Sequence, residues 1–253
     1  MNWETKHKLV LLSVVIIFIT LITFYFSYDK LFPVPMCTDK IKNGTESGVD
    51  CGGDCALRCV FEIKPIKIIW VRPIKTGVDT YDVAALLSNE NRDSAPQYLY
   101  YKLSLFNTDG KVVWFATSTT KVPVLSDFPV IIQNVKTKEK IKSASIELGE
   151  YPSYLTDKKY QTEIVEVLKT SFENSDISRL YVNIHNTTLT PILRFPVRVV
   201  LYDPLQNTLG VGETFIERLD KDEKKQVVFT WPNKFSETPS IIRAYPIVDP
   251  YSR

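Results

Sequence analysis

The sequence predicts a mainly β chain: one N-terminal helix of membrane-spanning length, a short cysteine-rich segment, then two tandem antiparallel β-sandwiches. Three observations predict it. Residues 9–28 form an unbroken uncharged run, LVLLSVVIIFITLITFYFSY. From about Phe61 onward, short stretches alternate apolar and polar residues between turn residues, with no long helical stripe. Those stretches recur at a spacing of about 97 residues. Composition agrees, because 13 Tyr, 13 Phe and 15 Pro against 2 Met is β-rich usage. The charge balance, 31 Lys and Arg against 29 Asp and Glu, forms no basic stripe, so no nucleic-acid partner is expected.

The first element is the run from Leu9 to Tyr28. A helix of that length, at ~1.5 Å per residue, matches a hydrocarbon core of ~30 Å. Lys6 and Lys8 flank one end, Asp29 and Lys30 the other, and Tyr25 and Tyr28 stand where an interfacial aromatic belt belongs. A cleaved signal peptide has an apolar region of ~7–15 residues and then a small-x-small site. Here the exit reads TFYFSYDKLFPVP, bulky and aromatic, which predicts an uncleaved anchor. Residues 1–8 are then a cytoplasmic tail and the bulk of the chain is extracytoplasmic. Lys30, Lys40 and Lys42 blunt the positive-inside comparison, so the cysteines decide the orientation. Ser13, Thr20 and Thr23 offer polar groups for packing against another helix.

The second element, residues 29–60, holds Cys37, Cys51, Cys55 and Cys59, every cysteine of the chain. Structural zinc sites use C-x₂₋₄-C knuckles, often completed by His. Cys51 and Cys55 have that form, but Cys37 has no near partner and the segment has no His. An even number of cysteines on one side of a span predicts two disulfides in an oxidising space, with three pairings open. Asp39, Asn43, Glu46, Asp50 and Asp54 crowd oxygen donors into a glycine-bearing loop and form a candidate Ca²⁺ set, although not with EF-hand spacing. The plainer reading is that they cap turns and keep an exposed loop soluble. Asn43 and Asn186 stand in glycosylation sequons.

The run CTDKIKNGTESGVDCGGDCALRC (37–59) resembles a short module of bacterial surface proteins, of the form C-x-D-G-x-x-N-G-x-E-T-x-V-D-C-G-G-x-C-x-x-C. Asp39, Asn43, Gly44, Glu46, Val49, Asp50, Cys51, Gly52, Gly53, Cys55 and Cys59 fall on that pattern. Lys40 and Ser47 depart from it, and the last cysteine spacing is one residue longer. The resemblance covers about a tenth of the chain and implies an extracytoplasmic position near a membrane anchor, not an activity.

The remaining elements come in two copies, 61–150 and 160–253. YLYYKLSLF (98–106) puts Leu99, Tyr101, Leu103 and Leu105 on one face, and FPVRVVLY (195–202) does the same with Phe195, Val197, Val199 and Leu201. DVAALLSNEN (82–91) is matched by RLYVNIHN (179–186), and PVIIQN (129–134) by QVVFTWPN (226–233). Turns follow the central strands, TDGK (108–111) and DPLQN (203–207). Each strand is expected to present one apolar and one polar face, giving two stacked sheets per copy. The boundary is placed in the polar stretch GEYPSYLTDKKY (149–160). Each copy resembles the immunoglobulin-like sandwiches of bacterial envelope proteins, including FxLYD-type domains, on Leu105-Phe106 and Leu201-Tyr202-Asp203. That likeness is one of fold and carries no catalytic residues.

Motifs for chemistry are sparse. His7 and His185 are the two histidines, and no nucleophile elbow, phosphate-cradling loop or zinc-protease helix appears. A triad from His185, Ser178 and Asp176 has no spacing to recommend it. The expectation is a non-enzymatic protein without a cofactor beyond the Ca²⁺ candidate. Tyr98, Tyr100, Trp114 and Trp231, with Phe106 and Phe115 beside them, form a candidate interaction surface. The expected role is a membrane-anchored scaffold or adhesive protein whose partners are other envelope proteins. Two alternatives stand beside it: an accessory subunit of a secretion, pilus or division complex, and a Ca²⁺ or ligand sensor using the cysteine loop.

Overall fold

The computed structural model describes residues 3–31, 36–92, 94–150, 154–156 and 164–248. Most of the predicted boundary, 151–153 and 157–160, therefore lies outside the described residues, as do 161–163 and 249–253 at the two ends of the second copy. Helix α1 spans Trp3–Leu31. The cysteine segment contains β1 Leu57–Arg58, and the first copy contains β2 Lys67–Lys75, β3 Thr80–Asn89, β4 Ser94–Pro96 and β5 Leu99–Asn107. It continues with β6 Val112–Thr120, β7 Ser126–Lys136 and β8 Ile141–Leu148. Between the copies lies β9, Tyr154–Thr156. The second copy contains β10 Val165–Glu173, β11 Ser178–Asn186, β12 Ile192–Tyr202, β13 Thr208–Leu219, β14 Lys224–Trp231 and β15 Ile241–Pro246.

At 29 residues α1 is roughly 44 Å long, enough to cross a bilayer core and extend beyond it. None of the window Leu11–Tyr28 is buried against the rest of the chain. Thr20 and Thr23 donate their hydroxyls back to Ile17 and Ile19 carbonyls at 2.8 and 2.9 Å, so α1 satisfies these polar groups itself.

The two copies share one topology. Each is a pair of three-stranded antiparallel sheets, ordered β2-β3-β7 and β6-β5-β8 in the first and β10-β11-β14 and β13-β12-β15 in the second. Strand starts at 67, 80 and 126 recur at 165, 178 and 224, each 98 residues on. Alternation fills each core: Val83, Leu87, Leu99, Leu103, Leu105 and Phe128 in the first, Leu180, Ile184, Phe195, Val199, Leu201 and Leu219 in the second. Full burial of such side chains contributes about 1.5–3 kcal/mol each.

Local devices repeat too. Asn89, ending β3, donates its amide to the Ser94 and Pro123 carbonyls, and Asn186, ending β11, donates to those of Thr190, Leu219 and Asp220. Both are buried, and each Oδ1 accepts the N–H two residues on. Asn186 is thereby packed inside, so its sequon is closed in the folded chain. Gly110 and Gln206 hold the same place in the two central turns, with φ of 77° and 63°.

One expectation is corrected. The strands do not all carry a polar face, because β3 and β12 are buried on both sides. The outer face of β2-β3-β7 packs on the outer face of β13-β12-β15, joining Ile74, Ala84 and Ile131 to Val200, Tyr202 and Val211. Arg198, 7% exposed, pairs with Glu213 and donates to Thr120 Oγ1 at 3.0 Å and to the Pro129 carbonyl at 2.8 Å across this seam. Arg72 donates to the Gln206 carbonyl and to Thr208 Oγ1, its guanidinium 4.9 Å from the centre of the Trp70 ring. Gln133 donates to the Val211 carbonyl. Past β15, Ile247 enters the first core and Val248 the second. The segment between the copies is not wholly free either: β9 lies between β1 and β4, pairing Leu155 with Leu57 and with Ala95.

Candidate functional site

The cysteine segment is closed by two disulfides, Cys37–Cys55 and Cys51–Cys59. No free cysteine remains, which removes the zinc alternative, since a metal-binding thiolate cannot also be half of a disulfide. The Cys-Gly-Gly-Asp turn explains its glycines. Gly52 and Gly53 have φ of 77° and 54°, and a Cβ on Gly53 would collide with the Thr45 carbonyl oxygen. β1 ties the module to the first sandwich through β9 and β4, and reciprocal hydrogen bonds between Asn91 and the Lys64 backbone fasten the segment that follows the module.

The four carboxylates of the candidate calcium set accept hydrogen bonds within this loop, whereas Asn43 Oδ1 is buried without a hydrogen-bond partner. Asp39 accepts from the Ile41 N–H at 2.9 Å and from Asn43 Nδ2 at 2.7 Å. Both Asp50 oxygens accept the Lys40 N–H at 3.0 Å. Glu46 accepts the Asn43 N–H, and Asp54 accepts the Thr45 hydroxyl. Among the described residues, the one group of three His, Cys, Asp or Glu ligand atoms within 4.8 Å is Cys37, Glu46 and Cys55, and its two sulfurs are bonded to each other. No three of the four carboxylates come within that distance of one another.

The aromatic set divides. Tyr98 and Tyr100 are 45% and 59% exposed. Trp114 pairs with Leu105 across β5 and β6, so it faces inward and packs on the first core. Trp231 is 7% exposed: it follows Val227 and Phe229 on the inner face of β14 and donates Nε1–H to the Val211 carbonyl at 3.0 Å. Trp231 is a core residue, and Trp114, partly buried, packs on the core instead of standing on the outer face. Phe115, beside Trp114 but opposite Ser104, takes the outer position and is 61% exposed.

Around Tyr100 and Phe115 the outer face of β6-β5-β8 carries Lys102, Thr117, Thr119 and Glu147. An open cleft of about 590 Å³ lies against it. Lys102 Nζ is 3.2 Å from Glu147 and 5.5 Å from the centre of the Phe115 ring, and Lys121 Nζ is 3.7 Å from that of Tyr98. Gly149 donates its N–H to the Tyr100 carbonyl and passes so close that a Cβ would meet Tyr100 Cβ at 3.0 Å. The face can bind by stacking, apolar contact and hydroxyl hydrogen bonds.

The triad candidates do not meet. Ser178 is fully buried at the start of β11 and bonds to Asn174 and to the Asn233 carbonyl. His185 sits seven residues further along the same strand, roughly 23 Å away at ~3.3 Å per residue. Its Nε2 is 2.7 Å from Asp222 and its Nδ1 3.5 Å from Glu166, and this pairing holds the Asp222 carboxyl below its ordinary range. No protein-family model matches the chain, and no curated protein does. Arg198 and Arg72, which bond across the seam, and the buried Asp82 escaped the sequence reading. Their signal was a charge set inside an apolar run, as in VRVVLY and YDVAALL.

Proposed function

We propose that the protein is a membrane-anchored, extracytoplasmic interaction scaffold with no bond chemistry of its own. α1 is the uncleaved anchor, residues 1–8 are cytoplasmic, and all that follows the helix faces the oxidising exterior. The observation that carries this reading is a fully exposed apolar helix followed at once by a module closed by two disulfides. The sandwiches are read as immunoglobulin-like, and the cysteine run as the bacterial surface module it resembles. The repeated sheet order and the separate roles of Leu201 in the core, Tyr202 in the seam and Asp203 in the turn support the first assignment.

Binding is by surface burial on a preformed sheet or by strand addition at an edge. The docked sandwiches act as one stiff spacer, and the Tyr98–Tyr100–Phe115 face is the contact offered to other envelope proteins. Replacing Leu9–Tyr28 with a generic membrane span and co-purifying from membranes tests the reading. A scaffold keeps its partners after the exchange, whereas a subunit of a membrane complex held through its helix loses them. Hydrolytic turnover abolished by changing His185 or one carboxylate would overturn it.

A further inference from the structure

We propose that the cleft at the Trp70 end of the seam binds a free α-amino acid with an apolar side chain, Arg243 taking its carboxylate and Asp127 its ammonium. The cleft, about 180 Å³, lies between the two sandwiches. Trp70, Leu86 and Asp127 line it from the first, and Tyr202, Arg243 and Tyr245 from the second. Strand register puts these side chains there. Asp127 pairs with Ser88, so it shares the seam-facing side of its sheet with Ala84 and Leu86. Arg243 pairs with Val200, which puts it on the seam-facing side of the other sheet with Tyr202 and Tyr245.

The two charges face one cavity and do not meet. Among the described residues, neither the half-buried Asp127 carboxylate nor the exposed Arg243 guanidinium has a hydrogen-bond or ion-pair partner. Arg72, the other cation of the cleft, is already committed to Gln206, Thr208 and the Trp70 ring. Both free charges act on Tyr245, where Arg243 draws the phenol's pKa down and Asp127 pushes it up. Burial outweighs them and holds Tyr245 and Tyr202 above their ordinary range, so both stay neutral hydroxyls.

A fixed cation, a fixed anion and two hydroxyls around one cavity complement a zwitterion. A simple anion would be opposed by Asp127, and a simple amine by Arg243. Trp70, Leu86 and Ile241 give the ligand's side chain an apolar wall. The volume falls below the ~300–1,000 Å³ of drug-sized sites, which limits the ligand to one small molecule. Pockets of this kind form preferentially where domains meet. The fold itself does not call for the carboxylate, because 98 residues on from Asp127 the second copy has Lys225. The proposal goes beyond the scaffold reading and does not rest on it, since the Tyr100 and Phe115 face belongs to the other sheet of the first sandwich.

Isothermal titration of the full chain in detergent micelles with L-valine tests it, beside isovalerate, which lacks the ammonium, and isobutylamine, which lacks the carboxylate. L-Valine is expected to bind, and each analogue to bind roughly ten- to a hundredfold more weakly. Asp127→Asn should weaken L-valine by a similar factor without weakening isovalerate. Arg243→Gln should weaken L-valine likewise without weakening isobutylamine. Both variants should melt like the parent chain when no ligand is present, because neither side chain holds the fold together. No heat with L-valine, binding indifferent to both variants, or isovalerate held as tightly as L-valine overturns the proposal. Partners still co-purifying with the chain after any of these results would leave the scaffold reading standing, so the two failures are told apart.

Discussion

Arg198 is a charge placed where neither sandwich can do without its answering groups. Glu213, the Thr120 hydroxyl and the Pro129 carbonyl accept its hydrogen bonds, and two of the three belong to the other sandwich. Arg198→Met keeps the volume and loses the bonds, so it should destabilise the chain by about 1.5–3 kcal/mol. Glu213 stays partly open to water and is not stranded. Thermal melting of the full chain in detergent measures this. Asp82 acts in the opposite sense. Burial holds its carboxyl above the ordinary range, against the pull of the Asn134 N–H and the Gln133 side chain. A raised folded-state value means its stabilising contribution is complete below the ordinary carboxylate pKa and is lost as pH rises through the raised one. Asp82→Asn keeps an acceptor for Asn134 and removes that loss. Melting curves taken from about pH 4 to about pH 7 should show the variant gaining on the parent chain as pH rises. Asn186→Ala removes the amide donor to the buried Leu219 carbonyl, while the Thr190 and Asp220 carbonyls keep the Thr188 hydroxyl and the Glu223 N–H, a loss on the order of 2 kcal/mol in the same assay.

The elements differ in how openly the sequence declared them. β11 was legible in full, because RLYVNIHN alternates and its burial alternates with it. β3 and β12 broke the rule for a reason visible afterwards: AALL and VVLY are apolar at consecutive positions, as strands buried on both faces must be. The one-sided reading missed the seam between the sandwiches for that reason. Trp114 and Trp231 were misplaced because residue type reports neither strand phase nor which face meets a core. The pairing of Cys37 with Cys55 and Cys51 with Cys59 was not legible, since spacing along a chain does not fix its path in space. At this scale Gly53→Ala is the informative change. A methyl driven against the Thr45 carbonyl should prevent the module from closing while leaving both sandwich cores intact. Alkylation should then find free thiols in a protein whose far-ultraviolet circular dichroism is unchanged.

At the scale of the whole molecule, an apolar helix, a disulfide-closed module and two docked sandwiches follow one another along the chain. α1 leaves its window Leu11–Tyr28 unburied by the rest of the chain and is long and apolar enough to cross a bilayer. The cysteine module is fastened to the first sandwich through β1, β9 and β4, and the second sandwich is fastened to the first by the Arg198 seam and by Ile247. The extracytoplasmic account requires the residues after α1 to fold where disulfides persist. The direct test is to trap thiols with an alkylating agent at the moment native membranes are opened, then map the cysteines by mass spectrometry. The account predicts Cys37 joined to Cys55, Cys51 joined to Cys59, and no alkylated cysteine. Four alkylated cysteines would contradict it.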